Sequence, residues 1–155
     1  NTKGEMAFYF ADAGWVQIGD PDFSYANGVY TITTKDATAA EWQGQCTINE
    51  VPLNIEGGEY YDIACKVVAN VAVDRFTVKV NKDPDVDGDP NSLFYKGNVV
   101  LKKGENILRF AKVTGVNGKD PVSFDQGKFV FDLGGSPADV TIQISDIIIQ
   151  KHNPK

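Results

Sequence analysis

The chain has 155 residues and a formal charge of -6, from 21 aspartates and glutamates against 15 lysines and arginines. That is one domain's worth of polypeptide, able to bury a core of its own. The acidic balance, with no basic run to neutralise phosphates, excludes nucleic acid and anionic membrane as partners, and no apolar stretch approaches the length of a membrane span.

Met6 to Phe10 is a short aromatic-rich run expected to form a strand at the edge of a sheet, and Trp15 to Ile18 is a second brief run. The stretch from Gly19 to Gly28 contains Asp-Pro and Asn-Gly pairs, whose backbone preferences suit bends. Val29 to Thr34 alternates apolar and polar residues and predicts a strand, with the polar loop KDATAA after it.

From Glu41 to Val68 the spacing predicts two long strands joined across a turn. In the first, Glu41, Gln43, Gln45 and Thr47 share one face, while Trp42, Gly44, Cys46 and Ile48 share the other. A tryptophan among side-chain amides suits a sugar ring, because the indole offers a stacking face and the amides bond to hydroxyls. Trp42 is either a core residue, if the apolar face points inward throughout, or a ligand platform, if it lies beyond the edge of the core. The glutamines are correspondingly ligand contacts or ordinary solvated residues. The second strand places Tyr61, Ile63, Cys65 and Val67 on one core-facing stripe. Cys46 and Cys65 are either one disulfide or two buried thiols; neither has a histidine nearby in sequence to activate it.

Arg75 to Asn81 alternates with Phe76, Val78 and Val80 inward. In the following KDPDVDGDPN, Asp83, Asp85, Asp87 and Gly88 match the D-x-D-x-D-G opening of a calcium loop, but Phe94 stands where the bidentate acid belongs. The alternatives are a structural calcium ion and a solvated acidic loop. Ser92 to Leu101 begins another strand, whose neighbours Phe94 and Tyr95 must point to opposite faces. Phe94 is assigned to the core and Tyr95 to the outside, as a second stacking platform whose phenol stays wet. In Glu105 to Val113, burial of Leu108 and Phe110 would leave Arg109 outward, to bond sugar hydroxyls or simply to be solvated. Thr114 to Gly127 predicts a long loop, and Lys128 to Leu133 and Val140 to Ile149 predict strands too apolar for sheet edges.

No segment carries a helical period, whereas nine or ten short runs alternate between turn signals. The expected fold is all-β, a β-sandwich (jelly roll) of two antiparallel sheets in a single domain over 1-155. The termini NTKGE and KHNPK are expected to be cut connections into a larger multidomain protein. The one histidine, His152, lies in a polar tail, and no hydrolase-elbow, zinc-protease or phosphate-loop motif occurs. The chain is therefore expected not to be an enzyme, although a glycan-active jelly roll would need only a pair among its many acids.

The succession of Trp42, Gly44, Leu53, Gly57 or Gly58 and Tyr60 resembles the jelly-roll carbohydrate-binding modules of the family 4, 9 and 22 type, which are attached to or inserted in xylanases. The likeness extends to VVLKKGENILRF, from Val99 to Phe110, and to TIQISDIIIQ, from Thr141 to Gln150, and takes in about half the chain. It breaks after Tyr60, where Tyr61 and Asp62 replace the usual small hydroxyl residue. The resemblance implies that Trp42 contacts xylan, and that a calcium site includes Asp146 of the last strand. The resulting expectation is a non-catalytic, monomeric, extracellular module of a bacterial secreted enzyme that binds a plant β-glycan, xylan foremost, and targets a covalently attached glycoside hydrolase to it. Trp42, Tyr95 and Trp15 would stack on the sugar, and Gln43, Gln45 and Arg109 would bond to its hydroxyls. A structural calcium would sit at Asp83, Asp85 and Asp87, or at Asp146. A jelly-roll glycosidase or lyase and a protein-interaction or adhesion sandwich are the alternative readings.

Overall fold

A computed structural model describes residues 5–10, 22–34, 44–84, 92–116, 119–133 and 137–152, with side chains from residue 24 onward. Ten strands follow one another: β1 (Glu5–Phe10), β2 (Asp22–Ala26), β3 (Val29–Thr33), β4 (Gly44–Ile55), β5 (Tyr61–Ala69), β6 (Val73–Lys82), β7 (Ser92–Leu101), β8 (Gly104–Val113), β9 (Phe124–Asp132) and β10 (Thr141–Lys151). They form two five-stranded antiparallel sheets, in the order β1-β4-β9-β6-β7 and β2-β3-β10-β5-β8. No helix occurs among the described residues.

The core lies between the sheets and is built from the period-two stripes. Tyr61, Ile63, Cys65 and Val67 of β5 are buried, as are Phe76, Val78 and Val80 of β6. Phe131 stacks against Phe76 at 5.9 Å and against Phe129 at 6.4 Å between ring centroids, an offset spacing favourable for aromatic pairs. The two very apolar segments, β9 and β10, are interior strands of their sheets, where their backbones are paired on both edges instead of offering an open apolar edge. β9 starts at Phe124, so the connection expected to run to Gly127 is shorter.

Two local devices shape the strands. Asn27 and Gly28 both take positive φ, 53° and 80°, in the two-residue turn that joins β2 to β3, which is the chemistry of an Asn-Gly hairpin. In β4, Glu50 has φ 54° where the register with β9 shifts between Ile48 and Val51. The extra residue reverses the alternation, so Cys46 and Ile48 point inward before it and Val51, Leu53 and Ile55 after it.

The strands of the 41–68 stretch are not partners. β4 belongs to one sheet and β5 to the other, and the chain crosses the sandwich through a turn in which Glu59 N–H donates to Glu56 O and Gly58 has φ 90°. Cys46 and Cys65 are therefore buried on opposing sheets, and both are free thiols. Burial pushes each thiol up to about 12, so neither is nucleophilic near neutral pH.

Candidate functional site

The outer face of the β1-β4-β9-β6-β7 sheet carries a row of polar groups that ends on an exposed ring. Its components come from four adjacent strands. Register places Gln45 of β4 opposite Asp132 of β9, Asp132 opposite Thr77 of β6, and Lys79 of β6 opposite Tyr95 of β7. Since Phe129 and Phe131 point into the core, alternation turns Val130 and Asp132 to the other side.

Gln45 donates from Nε2 to Asp132 Oδ1 at 2.9 Å, and Lys79 Nζ lies 3.3 Å from Asp132 Oδ2. Lys79 Nζ also stands 5.5 Å from the centroid of the Tyr95 ring, within range of a cation–π contact. The Asp132 side chain is 0 % exposed and that of Lys79 25 %. A carboxylate so far from water persists only when cations and hydrogen-bond donors replace its hydration, and the amide and ammonium supply both. The row is thus a fixed set of charged and planar polar groups, held before any ligand arrives.

Tyr95 is 42 % exposed at the end of this row, while its neighbour Phe94 packs against the core and lies 4.7 Å from the Phe110 ring. The phenol runs over Gly97: a Cβ built there would stand 2.9 Å from Tyr95 Oη. Glycine two residues along the same face is what allows the ring to lie along the sheet.

Arg109 corrects the single sugar shelf expected from the sequence. It is exposed on β8, across from Ala64 of β5, on the outer face of the opposite sheet. The whole core lies between Arg109 and Tyr95, so they cannot touch one sugar ring together. Trp15, Trp42 and Gln43 lie outside the described residues. Of the proposed ligand contacts, the structure brings Gln45 and Tyr95 onto one face.

Asp85 and Asp87 of the acidic loop also lie outside the described residues. Asp83 uses Oδ2 to accept the Glu50 N–H at 2.7 Å, tying the loop to the β4 bulge, and Gln126 Nε2 donates to its carbonyl at 2.9 Å. Asp146 is exposed at φ 52° in a bulge of β10. No three His, Cys, Asp or Glu side chains among the described residues converge to hold a metal ion.

His152 is anchored rather than free in a tail. Its Nδ1 is 2.8 Å from Asp62 Oδ1, and its N–H donates to Tyr60 O at 2.8 Å. Asp62 Oδ1 also accepts the Lys112 N–H at 2.9 Å. That backbone hydrogen bond first, then the hydrogen bond with His152, hold the Asp62 carboxyl below its ordinary range against the opposing effect of burial, with the charge of His152 adding least. A carboxyl whose pKa falls on folding stabilises the fold above its unfolded pKa of about 4, and that stability disappears as pH drops through the lower folded value. Asp62→Asn is therefore expected to lower the melting temperature at neutral pH. The gap to wild type should close on acidification below the carboxylate range, as read by thermal melts across pH. A gap unchanged down to the acid limit would show that ionised Asp62 does not contribute.

Asp132 and Lys79 were missed by sequence reading. The available signal was an acid ending the apolar run KFVFD and a lysine on the outward side of RFTVKVN. Nothing in either run indicated that the two would meet.

No family model matches the chain, and no curated protein does. Solved structures match along nearly its whole length. One, described as the structure and function of CBM4, a carbohydrate-binding module, aligns with TM-score 0.67 at 20% identity over 98% of this chain and 90% of that one. The second N-terminal cellulose-binding domain of Cellulomonas fimi β-1,4-glucanase C aligns at 0.63, with 18% identity over 99% and 89% of the two chains. The apo form of BiXyn10A CBM1 aligns at 0.62, with 16% identity over 96% and 90%. At such identities the likeness is one of fold: this chain has the jelly-roll sandwich of carbohydrate-binding modules of the family 4 type.

Proposed function

We propose that the chain is a non-catalytic glycan-binding module whose ligand, a plant β-glycan with xylan foremost, lies along the outer face of the β1-β4-β9-β6-β7 sheet. The observation that carries this reading is the row Gln45, Asp132, Lys79 and Tyr95, which ends in an exposed ring. A pyranose offers an apolar ring face and a rim of hydroxyls; Tyr95 matches the first, and the Gln45 amide and Lys79 ammonium, held from beneath by the buried Asp132 carboxylate, match the second. The fold is shared with a cellulose-binding domain and with a module named for Xyn10A, which supports a β-linked glycan as the ligand class. Trp42, Trp15 and Gln43 join this proposal as further contacts. In it, a covalently attached glycoside hydrolase outside the cell gains residence on insoluble substrate through effective concentration.

Affinity electrophoresis against a panel of soluble polysaccharides tests the reading. Retardation by xylan is expected, with no reducing sugar released from any polysaccharide. A stacked aromatic contributes about 1 kcal/mol beyond its area, so Tyr95→Ala is expected to weaken binding about fivefold, or more with the lost contact area. The melting temperature should hardly change, because the ring lies outside the core. A Tyr95→Ala protein retarded like the wild type would remove this face from consideration.

A further inference from the structure

The opposite outer face holds a depression with a structural cause. On β5, Ala64 lies between its register partners Ile148 of β10 and Arg109 of β8. A methyl group between two long side chains leaves a hollow of about 320 Å³, which Asp62 and Gln150 also line. Both flanking strands bulge beside it: β10 has an extra residue between Ser145 and Ile148, and β8 has one between Phe110 and Val113. Asp146 and Lys112, neither a glycine, take positive φ of 52° and 54° at these bulges. Paired bulges that re-aim side chains around one spot are a feature of binding surfaces more than of plain sheet.

The hollow continues past Asp62. Lys112 and His152, which hold the Asp62 carboxylate, line a second recess of about 270 Å³ together with Glu59 and Tyr60. Tyr60 is 43 % exposed, and Lys112 Nζ lies 5.3 Å from its ring centroid. The exposed part of the ring offers a surface for a stacking partner. Among the described residues neither the Arg109 guanidinium nor the Gln150 amide is spent on an internal hydrogen bond or ion pair. From Tyr60 to Ala64 the groove runs about 14 Å, at ~3.4 Å per residue. Acids and bases are mixed along the groove, Glu59 and Asp62 beside Lys112, Arg109 and His152, so no single sign of charge dominates it and an uncharged ligand suits it.

We propose that this groove is a second carbohydrate site, taking a short neutral oligosaccharide segment by stacking on Tyr60 and hydrogen bonding to Arg109 and Gln150. The inference rests on the glycan-binding reading above. With the core between them, the two sites engage separate polysaccharide chains, and the module cross-links or gains avidity on a dense surface.

Calorimetric titration of the full chain with xylohexaose and with cellohexaose tests this. The wild type is expected to bind about two hexasaccharides per chain, one on each outer face of the sandwich. Tyr95→Ala should keep the site on this face, and Tyr60→Ala combined with Arg109→Ala should keep the other. Tyr95→Ala should raise the Kd of its own site about fivefold or more, and the paired substitution that of its site about tenfold or more. One hexasaccharide per chain, lost in Tyr95→Ala and untouched by the paired substitution, would overturn the second site alone. One hexasaccharide lost only in the paired substitution would keep this site and remove the first. A wild-type chain that binds neither sugar would remove both.

Discussion

Phe131→Ala is expected to cost about 3–5 kcal/mol of stability, the largest effect of any single truncation considered for this chain. The ring is fully buried and stacks on Phe76 and Phe129, so its removal loses the transfer energy of an aromatic and leaves a cavity that two rings on rigid strands cannot close. For a domain of this size each kcal/mol shifts the midpoint by about 2–4 °C, which places the variant about 10 °C below wild type in a thermal melt. Phe94→Ala provides the contrast. That ring is only partly buried at the rim, against Phe110, and its neighbours can move outward, so its loss should be clearly smaller. Equal losses for the two would mean that the rim packs as tightly as the centre.

Lys79→Met is expected to cost about 3 kcal/mol, the low end of the range for breaking a buried ion pair, because Lys79 keeps some contact with water. The methionine fills the space of the stem, so the effect isolates the charge. Asp132 remains out of solvent with its Oδ2 no longer facing an ammonium, while Gln45 still donates to Oδ1. Adding Asp132→Asn should recover much of the loss, since the neutral amide has no charge to compensate. A double-mutant cycle in urea measures this coupling. A coupling below about 0.5 kcal/mol would mean that Lys79 does not hold the carboxylate. The same cycle bears on function: if the row positions Tyr95 and the hydroxyl contacts, Lys79→Met should also weaken xylan retardation at temperatures where the protein remains folded.

The all-β class, the strands and their inward stripes could be read from the chain because period-two alternation is local: a strand's own residues state which side meets the core. Tyr61 to Val67, Phe76 to Val80, and the choice of Phe94 over Tyr95 for the interior all follow from that rule. Even the hairpin at Asn27 and Gly28 is written in two adjacent residues. Where the rule lapses, in β4, a single extra residue at Glu50 inverts the alternation, and no composition signal marks it.

The alternation separates inside from outside, but a sandwich has two outsides. Arg109 and Tyr95 are both outward by pattern, yet strand order sends them to opposite faces, and no local signal encodes strand order. The same limit hid the site. Lys79 and Asp132 meet because β9 inserts between β4 and β6. Long-range pairing of this kind is decided by the cost and gain of closing the whole sheet, so it exists only in the folded chain.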